Sequence, residues 1–387
     1  MKVLFVSNYF NHHQKFVSDA LYSSCDDYKF IATSKMREER KKMGYSNLDS
    51  PKYVLNFSDG DKSKEFIDIS LSSDVIITGS VSERYAPLLR MNDRLIFKYS
   101  ERVYKNGYQW YKWPFRLYTF YRNYGRFKNT YLLCSSAYTA VDYAKHFTYK
   151  NKMYKWGYFP ETKRYENVDD LFNKKDPQKI LWCGRFIEWK HADHAIEVAD
   201  RLKKNGYSFQ MSFVGVGELE ERLKQCVVEK GLGDNVFFLG SMSPQKVREQ
   251  MEDSGIYLFT SDKNEGWGAV LNEAMNSGCA VVASHAIGSV PYLLKDKENG
   301  LVYVSNDVDM LYEKVKYLLE NRDYQIQLGR NAYETIVSEW NAEEAAKRFL
   351  RLSEEILKGN KNPNLFSTGP CSKAEIIKDN WYGERVK

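Results

Sequence analysis

Two glutamates, Glu265 and Glu273, stand eight residues apart in the stretch EGWGAVLNEAMNSG, around Gly266, Trp267 and Gly268. On one continuous helix eight residues turn through about 800°, which leaves the carboxylates about 80° apart on no common stripe. The spacing fits a loop that carries Glu265 and a helix that opens near Ala269, with Glu273 about one turn in. Gly266 and Gly268 permit close backbone approach or positive φ. Free N–H groups near Gly268–Leu271, Ala269 and Val270 among them, then point between two acceptors. Sugar and ribose hydroxyls want carboxylates, and a diphosphate between them wants N–H donors. A helix that carries two glutamates, one of them a cap, is the plain alternative.

Two further clusters follow strand-like runs. In LWCGRFIEWKH, Arg185 comes directly after Gly184, and Lys190 sits five residues on, at the expected start of a helix. A guanidinium fork, a point charge and a helix N-terminus together suit a diphosphate; two surface cations would look the same in isolation. In SFVGVGELEERL, Gly215 and Gly217 open a helix, but Glu220 stands where a dinucleotide fingerprint has its third glycine. An ordinary tight turn explains that pair equally well.

These clusters need strand ends to hold them. The 387 residues suit two domains. Short β-branched or aromatic runs alternate with helical patterns in both halves, which predicts parallel sheets covered on both faces. The strand candidates of the second half are 179–183, 210–214, 236–239, 256–261, 280–283 and 301–304, separated by helices over 191–204, 219–230, 243–253 and 269–277. In the first half they are 3–7, 29–33, 74–78, 95–100, 131–135 and 153–159. The polar stretch 160–178 is the expected boundary. Expected domains are 1–165, 166–340 and a C-terminal helix with tail, 341–387. Six scattered cysteines without a CxxC pattern fit a reduced, cytoplasmic chain. The start MKVLFVSNYF reads as a first strand rather than a leader, and no apolar run approaches 18 residues.

Taken together, the order and spacing of these clusters over residues 178–345 resemble the retaining glycosyltransferases of family 4. That resemblance implies the α/β GT-B fold: two doubly wound Rossmann-like domains facing a cleft, with helix 342–357 crossing back to the first. The E-x7-E motif is met by Glu265 and Glu273, with Trp267 where many members have Phe. By resemblance, Arg185 and Lys190 hold the donor diphosphate, and Glu273 takes the ribose hydroxyls. Glu265 and the Gly266–Gly268 backbone hold the donor sugar. Gly215 and Gly217 lie near the nucleotide, and Ser241–Met242 near the base. A hexose would pass from a nucleotide sugar, UDP favoured, to a lipid-linked or growing glycan, with no essential metal. A nucleotide-sugar epimerase, a sugar phosphorylase or a non-catalytic subunit on the same fold are the alternatives.

The first half departs from the family. No glycine-rich turn follows strand one; the chain reads SNYFNHHQKF, and His12 and His13 are expected to start a helix that faces the cleft. Where many members have a histidine after the fourth strand, this chain has Ser100, Glu101 and Arg102, and Glu101 is the candidate to orient an acceptor hydroxyl. Asp59–Asp61 and Asp307–Asp309 resemble DxD but stand in turn or helix-start contexts and read as solvated acids. Residues 94–128 carry nine Lys/Arg against one Glu, a local +8 where the whole chain is +6, and thirteen aromatics. That mixture suits an anionic membrane surface at the inner face of the cell membrane. Nucleic acid wants the same composition but is not served by a donor cleft of this type, and an aromatic core with solvated charges is the plain alternative.

Overall fold

The computed structural model describes residues 1–36, 51–90, 93–105, 107, 110–125 and 127–383. Tyr108 and Arg126, counted in the basic aromatic stretch above, lie outside the described residues. The chain divides into two compact units: Met1–Glu161 with Asn341–Lys378, and Thr162–Trp340 with Asp379–Lys387.

The first unit is built on a parallel sheet of β1 (Lys2–Ser7), β2 (Asp27–Ala32), β3 (Val54–Asn56), β4 (Val75–Thr78), β5 (Leu95–Ser100), β6 (Thr130–Cys134) and β7 (Met153–Lys155). Their order is β3-β2-β1-β4-β5-β6-β7. Helices α1 (His12–Ser24), α2 (Ser63–Ser72), α3 (Ala86–Arg90), α4 (Trp113–Phe120) and α5 (Thr139–Ala144) connect them. Asn11 caps α1 in a reciprocal box with Gln14, so the helix opens at His12.

The second unit repeats the plan with β8 (Asp176–Cys183), β9 (Gln210–Val214), β10 (Val236–Gly240), β11 (Ser254–Phe259), β12 (Ala280–Ser284) and β13 (Leu301–Tyr303), in the order β10-β9-β8-β11-β12-β13. Its helices are α6 (Val168–Lys174), α7 (Ala192–Lys204), α8 (Glu220–Glu229), α9 (Pro244–Asp253), α10 (Val270–Asn276), α11 (Val290–Leu293), α12 (Val308–Glu320) and α13 (Arg322–Ser338). Every residue of β11 is buried, as a strand covered on both faces requires. The last helix, α14 (Ala342–Leu357), returns to the first unit. Its Phe349 ring packs 4.9 Å from Phe97 on β5. In both sheets the strand order reverses beside the first strand, at β1/β4 and at β8/β11. The carboxyl ends at such a switch point are where doubly wound sheets bind ligands.

Several expectations change. The strand expected over 153–159 stops at Lys155; Trp156 and Phe159 bury their rings against each other instead. The division between the units falls inside the polar stretch 160–178, between Glu161 and Thr162, and the same stretch contains α6 and the start of β8. Lys175, in its middle, is buried with its ammonium donating to the carbonyls of Met251 (2.8 Å), Ser254 (2.9 Å) and Glu252 (3.3 Å). A polar sequence can be interior when every donor is met. The residues from Asp379 onward belong to the second unit: Asp379 O meets His285 Nε2 at 3.0 Å, and the Tyr382 hydroxyl donates to Asp296 at 2.8 Å.

The loop after β5 is fixed by a side chain the sequence did not single out. Asp142 on α5 is fully buried, and its Oδ2 accepts the N–H groups of Val103 (2.9 Å) and Tyr104 (3.0 Å), with Arg102 Nε 3.8 Å away. Asp142→Ala leaves those two amides without their acceptor and removes the carboxylate beside the buried guanidinium. It is expected to cost about 3–5 kcal/mol, measured as a lowered urea midpoint.

Candidate functional site

The second unit's site grows from the ends of β8 and β11. The turn after β8 is a 3-10 turn, Glu188–Lys190, and α7 begins only at Ala192; Lys190 therefore precedes the helix rather than opening it. The two turns are laced together. The Trp182 indole donates to Thr260 Oγ1 (2.9 Å), that hydroxyl donates to the Lys190 carbonyl (2.7 Å), and the Asp262 N–H donates to the Trp189 carbonyl (3.0 Å). The Lys190 ammonium is ion-paired with Glu265 and lies over the Trp189 and Phe259 rings, at 4.8 and 5.7 Å. Ser261 Oγ donates to the same Glu265 oxygen at 3.1 Å. Both charges are largely buried. A pair so placed must be held by more than Coulomb attraction, and the serine, the rings and the backbone bonds supply it.

Gly268 has φ +80°, and a Cβ there would stand 2.4 Å from the Phe259 ring and 3.1 Å from Glu265 Cγ. Glycine alone lets the loop pass over β11. The N–H groups of Gly268, Ala269 and Val270 find no acceptor among the described residues, whereas Leu271 N–H, expected to be free, donates to Gly268 O at 2.9 Å. Trp267 is turned inward. Its ring is core, 1% exposed, with the indole N–H on Asn272 Oδ1 at 2.9 Å and the ring against Tyr292 and Trp340. The side chain positions the loop and leaves only its backbone for a ligand.

Glu273 lies one turn inside α10. Its carboxylate has no hydrogen-bond partner among the described residues, and desolvation pushes it up to about 7 against the opposing pull of Arg248. The Cys183 thiol, at the end of β8, is pushed up to about 12, first by burial and then by Glu273, while Lys190 pulls it down. Glu273 and Lys190 thus both act on one strand end. Arg185 follows Gly184 there, exposed, with no ion pair or hydrogen bond to its guanidinium among the described residues.

Gly215 and Gly217 have a packing reason. A Cβ at Gly215, where φ is +141°, would stand 1.8 Å from Gly184 O, and one at Gly217 would stand 2.4 Å from Phe186 O. The end of β9 presses on the turn that carries Arg185. Met242, half-buried, follows β10 on the same carboxyl edge of the sheet.

In the first unit a cavity of about 980 Å³ opens at the β1/β4 switch point. Ser7, Asn8, His13, Gly79, Glu101 and Tyr158 are among its walls, and His12 is not. His13 stacks on Tyr158 at 4.9 Å and 17°. The Tyr158 hydroxyl bonds to Glu101, whose other oxygen accepts from Lys105 at 2.7 Å. Tyr158 was invisible beforehand because it follows β7 in a segment without a motif. Gly79 was findable as a glycine directly after a strand: a Cβ there would stand 2.8 Å from Ser7 Oγ. The acid pairs have local roles. Asp61 accepts from the Ser63 N–H at 3.0 Å, and Asp307 caps α12 by accepting from Met310 N–H at 2.8 Å.

The folded protein holds the Glu273 proton up to about 7, against an ordinary 4.5. Between those values the folded state binds more protons than the unfolded, so this group's contribution is greatest at acid pH and is lost as pH rises through 7. Glu273→Gln is therefore expected to raise the melting temperature at pH 8 and leave it unchanged at pH 4. Thermal melts at the two pH values check this.

A family model described as glycosyl transferases group 1 matches residues 163–335. An uncharacterised glycosyltransferase of Methanocaldococcus jannaschii is 27% identical over 202 residues, 51% of each chain. A poly(ribitol-phosphate) alpha-N-acetylglucosaminyltransferase of Staphylococcus aureus is 27% identical over 170 residues, 44% of this chain and 34% of that protein. The chain thus spans about half or less of the length of these curated relatives. The crystal structure of HepE of Anabaena, in complex with UDP, superposes with a TM-score of 0.67 at 14% identity, over 92% of this chain and 99% of that one. Residues 163–335 are therefore similar to glycosyl transferases group 1, and the chain carries the two-sheet fold of GT-B structures.

Proposed function

We propose that the protein is a retaining glycosyltransferase that moves a hexose from a nucleotide sugar, UDP favoured, to a lipid-linked or growing glycan. The observation that carries this is the set of acceptor-free amides at 268–270 beside the Lys190–Glu265 pair. Those amides and Arg185 take the diphosphate. The unpartnered carboxyl of Glu273 takes ribose hydroxyls, and Glu265 with the Gly266–Gly268 backbone takes the donor sugar. Gly215 and Met242 flank the nucleotide. UDP in the HepE crystals supports the donor, and the similarity to the poly(ribitol-phosphate) alpha-N-acetylglucosaminyltransferase supports a growing polymer as acceptor.

The chain's residues act through charge placement rather than by covalent attack. The bond from the sugar's anomeric carbon to the phosphate oxygen breaks, and the acceptor oxygen bonds to that carbon from the same face. The acceptor's proton passes to the departing diphosphate. Negative charge develops on the diphosphate, so a preorganised guanidinium lowers the barrier most there. No metal is assigned a step. The acceptor belongs in the first unit's cavity, where Glu101 and His13 offer hydroxyl partners.

A membrane surface is the proposed setting for that acceptor, at the inner face of the cell membrane. No described helix is long and apolar enough to cross a bilayer. Around α4, Trp110 (78%), Tyr111, Phe115 (73%), Tyr118 and Tyr121 are exposed, while Arg116 is folded over the Tyr104 ring at 4.7 Å. Exposed aromatics among cations match a headgroup layer.

Arg185→Ala is expected to lower donor turnover by roughly 10²–10³, about 2.7–4 kcal/mol, with an unchanged thermal melt. Near-normal turnover in the folded variant rejects the mechanism. The pair Trp110→Ser and Phe115→Ser is expected to weaken sedimentation with phosphatidylglycerol vesicles at least about tenfold, since burying each ring is worth about 1.5–3 kcal/mol. Unchanged sedimentation removes the membrane from the scheme.

A further inference from the structure

We propose that the first turn of α7 is a binding site for a divalent transition-metal ion of the zinc class, held by His191, Asp193 and His194. One ligand atom from each of the three lies within 4.8 Å of the others. Two imidazoles and a carboxylate suit Zn²⁺, Co²⁺ or Ni²⁺, whereas Mg²⁺ and Ca²⁺ want oxygen throughout.

The imidazoles are arranged as ligands rather than as core. Their rings stack 4.6 Å apart at 6°, a geometry that leaves no N–H···N bond between them. His194 Nδ1 is shielded from solvent and makes no hydrogen bond among the described residues, and His191 Nε2, also shielded, has the Asp262 carboxylate 3.5 Å away.

Carboxylates bracket the His191 ring: Asp193 Oδ1 is 4.0 Å from Nδ1, and Asp262 Oδ2 is 3.5 Å from Nε2. A metal-bound histidine ordinarily turns its second ring nitrogen toward such a carboxylate. With Nδ1 on the ion, Asp262 occupies that supporting place. The helix N-terminus disfavours a cation, and the two carboxylates offset it. In a tetrahedral zinc site with bonds of about 2.0–2.1 Å the ligand atoms stand roughly 3.3 Å apart. The three groups therefore close by at most roughly 1.5 Å, through a swing of Asp193, whose side chain is 64% exposed, and a tilt of the stacked imidazoles toward one ion. The fourth position is left to water.

The site adjoins Lys190 and the loop of Glu265 yet stands apart from the donor scheme, and the ion is given no step in the transfer. By drawing in His191 it would fix Asp262, and with it the entrance of the 262–268 loop, in one position.

Calorimetric titration of the tag-free full chain with Zn²⁺ alone tests the assignment, with Co²⁺ visible absorption as a second readout. One site is expected. His194→Ala is expected to weaken it by at least about a hundredfold, and Asp262→Asn by roughly 10–100-fold, as for loss of a supporting carboxylate. Metal-free thermal melts verify folding, and Asp193→Asn, at an exposed position, serves if His194→Ala does not fold. No uptake by the wild type, or equal affinity in a folded ligand variant, overturns the proposal. Because Zn²⁺ alone is titrated, the result is independent of UDP binding.

Discussion

Lys190 and Glu265 come from βα turns seventy-five residues apart and meet as opposite charges shut away from water. Neither could be buried alone, because the desolvation of a single ion costs several kcal/mol. Their pairing fixes the distance between the turn after β8 and the loop after β11. The hydroxyl of Thr260 and the indole of Trp182 fix the backbone beneath them. Everything proposed for the second unit rests on that spacing, since it sets where the amides of 268–270 stand relative to Arg185. The pair contributes position more than stability. It also leaves Lys190 with a neutralised charge until a ligand competes for it, whereas Arg185 keeps its full charge toward solvent.

The two units use one topological rule with different chemistry. In the second, the switch point at β8/β11 holds charge and unmet donors. In the first, the switch point at β1/β4 opens a cavity whose walls include hydroxyls, an imidazole and carboxylates. The contrast fits a division between an anionic leaving group and a hydroxyl-bearing partner. The loop that carries Glu101 owes its shape to Asp142, a residue with no chemical role of its own.

The parallel α/β plan was legible because strands buried on both faces are written as continuous apolar runs, as in IYLF of β11 and AVVAS of β12. Glycines at strand ends marked the turns, and the E-x7-E spacing marked the loop-to-helix junction at Gly268. What was not legible depended on partners distant in sequence. Nothing local says that Lys190 spends its charge on Glu265, that Trp267 turns inward against Tyr292 and Trp340, or that the polar Lys175 is interior. Nor does composition distinguish the strand end at Lys155 from the extended segment after it, because that depends on whether a neighbouring strand is present. Basic and aromatic residues around α4 were visible as composition; only coordinates separate Phe120, packed on His146, from the rings left outside.

The return of α14 to the first unit has a temporal consequence. Phe349 packs on Phe97 and Trp156, and the Lys155 N–H is met by the carbonyl of Ser372. On the ribosome, then, the sheet of the first unit emerges without part of its covering layer. At about 5–20 residues per second, the intervening stretch of about 180 residues takes roughly 10–40 s to synthesise. Through that interval the nascent sheet carries a bare apolar strip, and at its end the second unit's main body, continuous from Thr162 to Trp340, has all its strands. The first unit, begun first, is thus completed only after the second unit's main body has been translated.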